Sequence, residues 1–542
     1  MKKLCLILMA ALLCFGMVAC GGDTNTDSPA GNDTPTTKTL NFNVGFEPDS
    51  FDPQASNVLE TSIHVSQIYD FLYREDPNGN FVPSLAEGEP VISEDGLTYT
   101  FTLKDGITFA DGTPITAEDV VFSWTRALDP ANAFEYAYQL YYIQGGAEFN
   151  AGEATADDLA LKALDAKTIE VTLTAPAPYF KSLTGFTTYG IVSKAFVEAQ
   201  ESYGADIAST LASGPFKPVE WVKGQYVKYA KNENYWDKDA VKLDELYIYC
   251  VSESSTEIQM YDTDMLDITY MTMSVADQPR LGREGKLKEW GNLMTRYMMV
   301  NNENPVLSDA RVRSALLLAL DRKVLAENVV TNSVACTGFV PNAMAAVDNP
   351  ANTFRTESLL PDSGDIAKAQ QLLADAGYPN GEGFPTDMEL IYTTGEANKA
   401  LAEAIVEMWR VNLNVNITAA NLEGTVRRDR KNTGDFEFSL DGWSTDYLDP
   451  FSFLEICMSD NQYNNGKYSN AEYDALLNEV KNSADQSVRL AKMVEAEKIL
   501  VAEAGVMPLY NGTKMFMEKE GVTGVVRSLL GQCDFKWADI TK

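Results

Sequence analysis

The sequence predicts an α/β protein of two or three lobes, and three observations carry that expectation. At 542 residues the chain exceeds what one hydrophobic core usually serves. Its first half holds strands with two-residue alternation, whereas its second half turns to a rhythm of helix followed by strand. Hydrophobic residues at 45% and charged residues at 22% are ordinary for a globular chain.

The first segment reads as a sorting signal. Lys2 and Lys3 precede the apolar run Leu4 to Val18, too short to span a bilayer as a mature helix. It ends Met17-Val18-Ala19-Cys20-Gly21, which resembles a bacterial lipobox. That resemblance implies removal of residues 1–19 and lipidation of Cys20. Residues 20–38 then form a tether, poor in apolar residues and rich in Gly, Pro, Thr, Asn and Asp, which cannot offset its ordering entropy. A flexible segment of this length reaches roughly 20–25 Å. No later stretch is long and apolar enough to predict a transmembrane helix.

The folded part opens with an alternating strand, Thr39 to Val44. A helix follows from Glu60 to Tyr73, with Ile63, Ile68, Phe71 and Leu72 on its apolar side. Asp95-Gly96 turns the chain into a half-buried strand, with Leu97, Tyr99, Phe101 and Leu103 against Thr98, Thr100, Thr102 and Lys104. Turns at Lys104-Asp105-Gly106 and Asp111-Gly112-Thr113-Pro114 lead to Thr116, a helix N-cap with Glu118 and Asp119 in the first turn. Val120, Val121 and Trp124 then recur at helical spacing. Further strands are expected at Thr168 to Leu173, Tyr226 to Ala230 and Leu243 to Val251.

Beyond them, Ser308 is placed as the cap of a helix running to Asn328, with Val312, Leu316, Leu320 and Val324 on one face. Helices at Asp365 to Ala376 and Asn398 to Asn412 precede strands at Val415 to Ala419 and Phe436 to Leu440. Two more helices, about Asn470 to Asn482 and Ser487 to Glu503, lead through Pro508-Leu509-Tyr510 into a short closing segment. No internal repeat is apparent.

Net charge of −35 argues against nucleic acid or anionic lipid as a partner, since phosphates would be repelled. Whether that field attracts cationic ligands depends on where the charges lie. The single histidine, His64, sits mid-helix where a structural role is expected, which disfavours a metal site. It also leaves little room for Ser-His or Cys-His catalysis, and neither GxSxG nor HExxH occurs. An acidic glycosidase pair remains a remote alternative. Cys250, Cys336, Cys457 and Cys533 show no CxxC spacing, so they are either disulfide partners or buried thiols.

The stretch Glu94 to Pro130, EDGLTYTFTLKDGITFADGTPITAEDVVFSWTRALDP, resembles the signature segment of the extracytoplasmic solute-binding proteins of peptide ABC transporters, family 5. Ala163-Leu164-Asp165, Pro178-Tyr179-Phe180, Ser213-Gly214-Pro215-Phe216, Asn234-Tyr235-Trp236-Asp237 and Arg311 to Ala315 continue the likeness in order, most closely to its oligopeptide-binding branch. The resemblance implies a two-lobed periplasmic-binding-protein-like fold of type II, with two interlobe crossings and an extra domain inserted in the first lobe. Lobe I would take 39–80, 186–295 and 508–542, the inserted domain 81–185, and lobe II 296–507. It also implies a monomeric binding protein with no catalysis, cofactor or metal, whose partners are an oligopeptide, the permease subunits and, through its lipid, the membrane. The location would be the outer face of the bacterial cytoplasmic membrane.

Within Asp441-Gly442-Trp443-Ser444-Thr445-Asp446-Tyr447, the resemblance makes Asp446 the partner of a ligand α-ammonium. It makes Gly442 to Ser444 an edge pairing with an extended peptide, with Asn57, Val58 and Leu59 as the matching edge on the other lobe. The competing reading is an Asp-containing turn with Trp443 in the core. Tyr138, Tyr141 and Tyr270 fall near cleft aromatics of the family, against the competing reading of buried structural tyrosines. Several positions depart from the pattern. Ser444 and the neighbourhood of Met294 replace a disulfide pair, Gly424 a cleft tryptophan, and Leu440 a basic residue able to meet a peptide carboxylate. Arg427, Arg428, Arg430 and Lys431 are candidates to replace that last function. Other ligands of the same fold (dipeptides, signalling peptides, metal chelates) and a sensor role stay open.

Overall fold

The computed structural model describes residues 37–541 apart from 57, 272–276, 332, 348 and 350–351. The signal segment, Cys20, most of the tether and Asn57 lie outside the described residues. No helix among the described residues is long and apolar enough to cross a membrane.

Three sheets organise the chain. The first is four-stranded, in the order Thr39–Asn43, Glu245–Tyr249, Tyr226–Lys231, Phe216–Val222; its first pair is parallel and the others antiparallel. Leu40, Phe42, Val227, Tyr229, Leu246 and Ile248 alternate inward into one core. Helix Leu59–Ile68 packs on it, where the Tyr229 hydroxyl meets His64 Nδ1 at 2.7 Å. Burial pushes the imidazole down to about 3, so His64 is a neutral structural residue.

The second sheet is antiparallel, in the order Val91–Ile92, Thr98–Thr102, Thr168–Thr172, Leu161–Ala163. Tyr99 and Phe101 face inward and the threonines between them outward, as their alternation predicts. Helix Ala117–Leu128 covers it. At its start the Thr116 backbone N–H and hydroxyl both donate to the Asp119 carboxylate, at 3.0 and 2.8 Å. Trp124 is fully buried, donates its indole N–H to the Tyr189 carbonyl at 3.2 Å, and meets Phe180 and Tyr189 edge-on.

The third sheet has six strands in the order Ser333–Ala335, Val506–Met517, Leu287–Val300, Phe438–Ser444, Glu389–Thr393, Thr418–Leu422. Its two long members join the lobes. At one end of this antiparallel pair, Trp290 and Phe516 belong to the core of the first sheet; at the other, Met298, Val300, Met507 and Leu509 belong to the core of the third. The ladder breaks between Gly291 and Thr295, and again between Arg296 and Tyr297, opposite Pro508.

Several elements differ from their sequence-based bounds. The helix expected to reach Tyr73 stops at Ile68, where Tyr69 turns extended. Its terminal carbonyl, Ile68, accepts from Ser213 and Gly214 instead, and a Cβ at Gly214 would sit 2.7 Å from the Tyr69 carbonyl oxygen. Ser308 does not cap the next helix. Its hydroxyl donates to the Pro305 carbonyl, while the Asp309 carboxylate accepts from the Arg311 N–H. That helix runs only from Ala310 to Leu318, and Asp321 caps a fresh turn at Arg322–Val324. The strand placed at Val415 to Ala419 is Thr418–Leu422, set by its parallel register on Glu389–Thr393. The strand placed at Phe436 to Leu440 is Phe438–Ser444, because Leu287–Val300 supplies a ladder to its far end.

Replacing Trp124 with alanine removes a buried indole that several aromatics surround, a loss of about 3–5 kcal/mol. Hydrogen exchange across 98–189 is expected to quicken accordingly, and more than across the first sheet, whose core is separate. A uniform or negligible change would contradict that packing.

Candidate functional site

Phe438–Ser444 is buried through Asp441 and then emerges, with Gly442 and Ser444 exposed and Trp443 half-buried. On one side it is laddered to Leu287–Val300 along its whole length. On the other, the register with Glu389–Thr393 ends at Ile391 opposite Ser439. Beyond Ser439, therefore, this edge has no strand partner among the described residues, and Gly442 to Ser444 present open backbone. Within the closed ladder Ser444 stands directly opposite Met294, so the two positions that replace a family disulfide are cross-strand neighbours. Cys250, Cys336, Cys457 and Cys533 are free thiols, all but Cys250 buried.

Past the strand the chain is clamped before it reaches Asp446. The Thr445 N–H donates to the Leu293 carbonyl at 3.1 Å, and the Thr445 hydroxyl donates to the Tyr447 carbonyl. The Asp446 N–H donates to the Ser452 hydroxyl at 3.2 Å. Tyr447 stacks on Tyr179 from the inserted region, with ring centroids 4.2 Å apart. These contacts fix the Asp446 carboxyl between two spaces. The smaller, about 40 Å³, is shared with Phe71, Arg74, Phe186, Leu530 and Gln532. The larger, about 490 Å³, is walled by Tyr138, Tyr141, Tyr142, Tyr179, Trp443 and Tyr463. Among the described residues no cation pairs with Asp446, and burial pushes its carboxyl up to about 6. Beside it, Trp443 packs on Tyr463 at 5.2 Å and keeps a buried indole N–H without a partner.

The sequence-derived candidates thus divide. Tyr138, Tyr141, Trp443 and Asp446 share one cavity, and Gly442 and Ser444 lie on the open edge next to it. Tyr270 is in the core of the first sheet, where its hydroxyl donates to the Gly531 carbonyl at 3.1 Å and the Lys514 ammonium lies over its ring. Val58 is extended and exposed just before helix Leu59–Ile68, and neither Val58 nor Leu59 lines the cavity. Leu440 is core. Of the basic run, Arg427 and Lys431 are bound to Asp441 at 2.9 and 3.2 Å, and Arg430 is bound to Glu389 and Asp435. Burial raises the Asp441 carboxyl, but the Lys431 and Arg427 charges outweigh it and hold the group below its usual range. Only Arg428 of that run is exposed without an ion pair among the described residues. Sequence reading missed Tyr142, Tyr179, Tyr463 and Glu455 on the cavity. Tyr179 stood inside the quoted Pro178-Tyr179-Phe180 motif, but Glu455 carried no signal of its own.

The family model for bacterial extracellular solute-binding proteins, family 5 middle, matches residues 80–465. The chain belongs to this family. The oligopeptide-binding protein OppA of Bacillus subtilis (strain 168) is 30% identical over 543 residues, covering 99% of each chain. Among solved structures, the periplasmic murein tripeptide-binding protein MppA in an unliganded open form superposes with a TM-score of 0.80 at 28% identity, covering 95% of this chain and 99% of that one. OppA of Listeria monocytogenes bound to peptide superposes with a TM-score of 0.76 at 29% identity, covering 94% and 100%. The two-lobed α/β architecture is that of these family members, which are extracytoplasmic binding proteins rather than enzymes by family.

With its carboxyl raised, Asp446 makes the folded chain bind a proton more tightly than the unfolded one. Its contribution to stability is therefore largest below an ordinary carboxylate pKa of about 4 and is lost as pH rises through about 6. Ligand-free Asp446→Asn is expected to gain about 1–3 kcal/mol over the parent at neutral pH, and to lose that advantage toward pH 4. Urea denaturation at both pH values checks this; equal stability differences at the two would contradict it.

Proposed function

We propose that this protein is the lipid-anchored oligopeptide-binding component of an ABC importer, capturing extended peptides between its lobes and delivering them to the permease. The observation that carries the reading is Asp446, an enclosed carboxylate without a cation, placed next to an open strand edge at Gly442 to Ser444. An extended chain added to that edge is held through main-chain hydrogen bonds, which every peptide offers. Its α-ammonium then pairs with Asp446 away from bulk water, where a charge-assisted bond is strong and an unpaired charge costly. Trp443 with its free indole N–H, and Tyr138 and Tyr141, shape the space around the first residues. On the other side, Val58 is the extended, exposed residue of the expected facing edge, Asn57 lies outside the described residues, and Leu59 already belongs to helix Leu59–Ile68 and so cannot extend that edge.

The proposed divisions are 39–80, 186–295 and 508–542 for lobe I, 81–185 for the inserted domain and 296–507 for lobe II. In their favour, the strands of the first two sheets fall wholly inside the first two of these groups. Closure would proceed by flexing the irregular part of the long strand pair around Gly291 to Thr295. The ligand stabilises the closed form only through contacts it makes better there. Residues 1–19 act as the signal, Cys20 carries lipid, and the tether holds a monomeric body above the membrane. The names of the relatives, oligopeptide-binding among them, support peptide over other cargo.

Asp446→Ala is expected to weaken binding of free-amine peptides by at least roughly thirtyfold, the lower end of what truncating one partner of a desolvated charge pair costs. N-acetylated peptides should bind the parent as poorly as free peptides bind the variant. Calorimetry reads both, and unchanged affinity in the variant would remove Asp446 from the site.

A further inference from the structure

Glu455 is a second carboxylate on the cavity that holds Asp446, and the peptide reading leaves it unused. It follows the short helix Phe451–Leu454, and its Oε1 accepts from the Tyr447 hydroxyl at 2.6 Å. That bond orients the carboxylate but brings no positive charge. The Arg489 guanidinium is committed to Asp449 at 2.6 Å, and Lys481 lines the cavity as an exposed side chain. Tyr138, Tyr142, Tyr179, Tyr463 and Trp443 line the same cavity as Asp446 and Glu455. Half-buried carboxylates that form no ion pair among the described residues, on a cavity lined with aromatic rings, make an environment for an organic cation.

We propose that Glu455 receives a second positive charge of the ligand, the side-chain ammonium or guanidinium of the same residue whose α-ammonium meets Asp446. The proposal rests on the amine-anchoring reading above and narrows it to ligands with a cationic first residue. An N-terminal lysine bears its α-ammonium on Cα and its side-chain ammonium at the end of four methylenes, so anchoring the first at Asp446 leaves the second able to reach the adjoining space. A cavity of about 490 Å³ has room for such a chain.

The electrostatics of the cavity agree. Burial raises the Glu455 carboxyl, the Tyr447 bond opposes it, the Asp446 charge adds to it, Lys481 opposes it and Asp449 adds to it, leaving it near 7. Tyr138, Tyr141, Tyr142, Tyr179 and Tyr463 also line the cavity, each with its pKa raised by burial, and Asp460 lines it as an exposed carboxylate. Arg489 faces Tyr179. Asp446 and Glu455 share one cavity, so their ionisations are coupled, and a ligand with two positive charges gains most where both are ionised.

The test is calorimetry with Lys-Ala-Ala and with its uncharged counterpart carrying norleucine first, at about pH 7.5 and pH 5.5. The parent protein is expected to favour the lysine peptide by roughly tenfold or more at the higher pH, with the preference shrinking at the lower. Glu455→Gln, which can still accept from Tyr447, should abolish the preference while leaving the norleucine peptide within about twofold of its parental affinity. No preference in the parent, or a preference kept in the variant, overturns the proposal. The parent comparison stands even if the variant does not fold. Asp446→Asn separates the two readings: if it leaves both affinities unchanged the amine anchor itself fails, whereas a failure confined to Glu455→Gln removes only the second charge.

Discussion

The rest of the molecule depends on the pairing of Leu287–Val300 with Val506–Met517. These two strands are too long for one lobe, and their ends are buried in different cores, Trp290 and Phe516 in one and Met298 and Met507 in the other. The ladder is broken between Gly291 and Thr295 and again between Arg296 and Tyr297, so bending across 291–297 costs few hydrogen bonds. The strand bearing Gly442 to Ser444 is built directly on this pair, and the Thr445 N–H bonds to Leu293 inside the irregular stretch. The strand that leads to Asp446 is thus tied to the irregular stretch of the long pair, while Tyr138, Tyr142 and Tyr179 reach the same cavity from a distant part of the chain.

Charge compensation gives the site its distinctness. Buried acids elsewhere in this very acidic chain are provided for. Asp70 takes bonds from Ser84, Tyr235, Trp236 and Arg74; Glu497 is bridged by Arg355; Asp449 is bridged by Arg489; Asp441 is bridged by Arg427 and Lys431. Burying a carboxylate without such partners is expensive, and a fold keeps it only where something else compensates. Asp446 and Glu455 lack a cation, and they face one cavity. Asp460 also lines this cavity but is exposed, so its half-buried carboxylates are Asp446 and Glu455.

Much of this could be read from local pattern. The strand at Tyr99 and Phe101, the N-cap at Thr116, the helices Ile366–Asp375 and Glu396–Leu413 to within a residue or two, and the structural character of His64 follow from periodicity, caps and burial of apolar faces. The two crossing strands could not be read that way. Leu287–Val300 loses its alternation at the bulge, Val506–Met517 contains Pro508, and Glu389–Thr393 is buried on both faces and so shows no alternation at all. The basic run at Arg427 to Lys431 offered charges that the fold has already spent on Asp441, Glu389 and Asp435.

The sequence by itself determined the family, through ordered motifs from Glu94 to Asp446, and it determined Asp446 as the residue to watch. Those are properties of local wording, which survives in one dimension. Only the tertiary structure decided that the Gly442 edge is open, that Tyr138, Tyr141 and Trp443 join Asp446 while Tyr270 does not, and that Glu455 shares the cavity. Each depends on which distant segments meet: the Glu389–Thr393 ladder ends at Ser439, and the inserted region lays Tyr179 over Tyr447. Such meetings are set by packing across hundreds of residues, and no window of the sequence contains them.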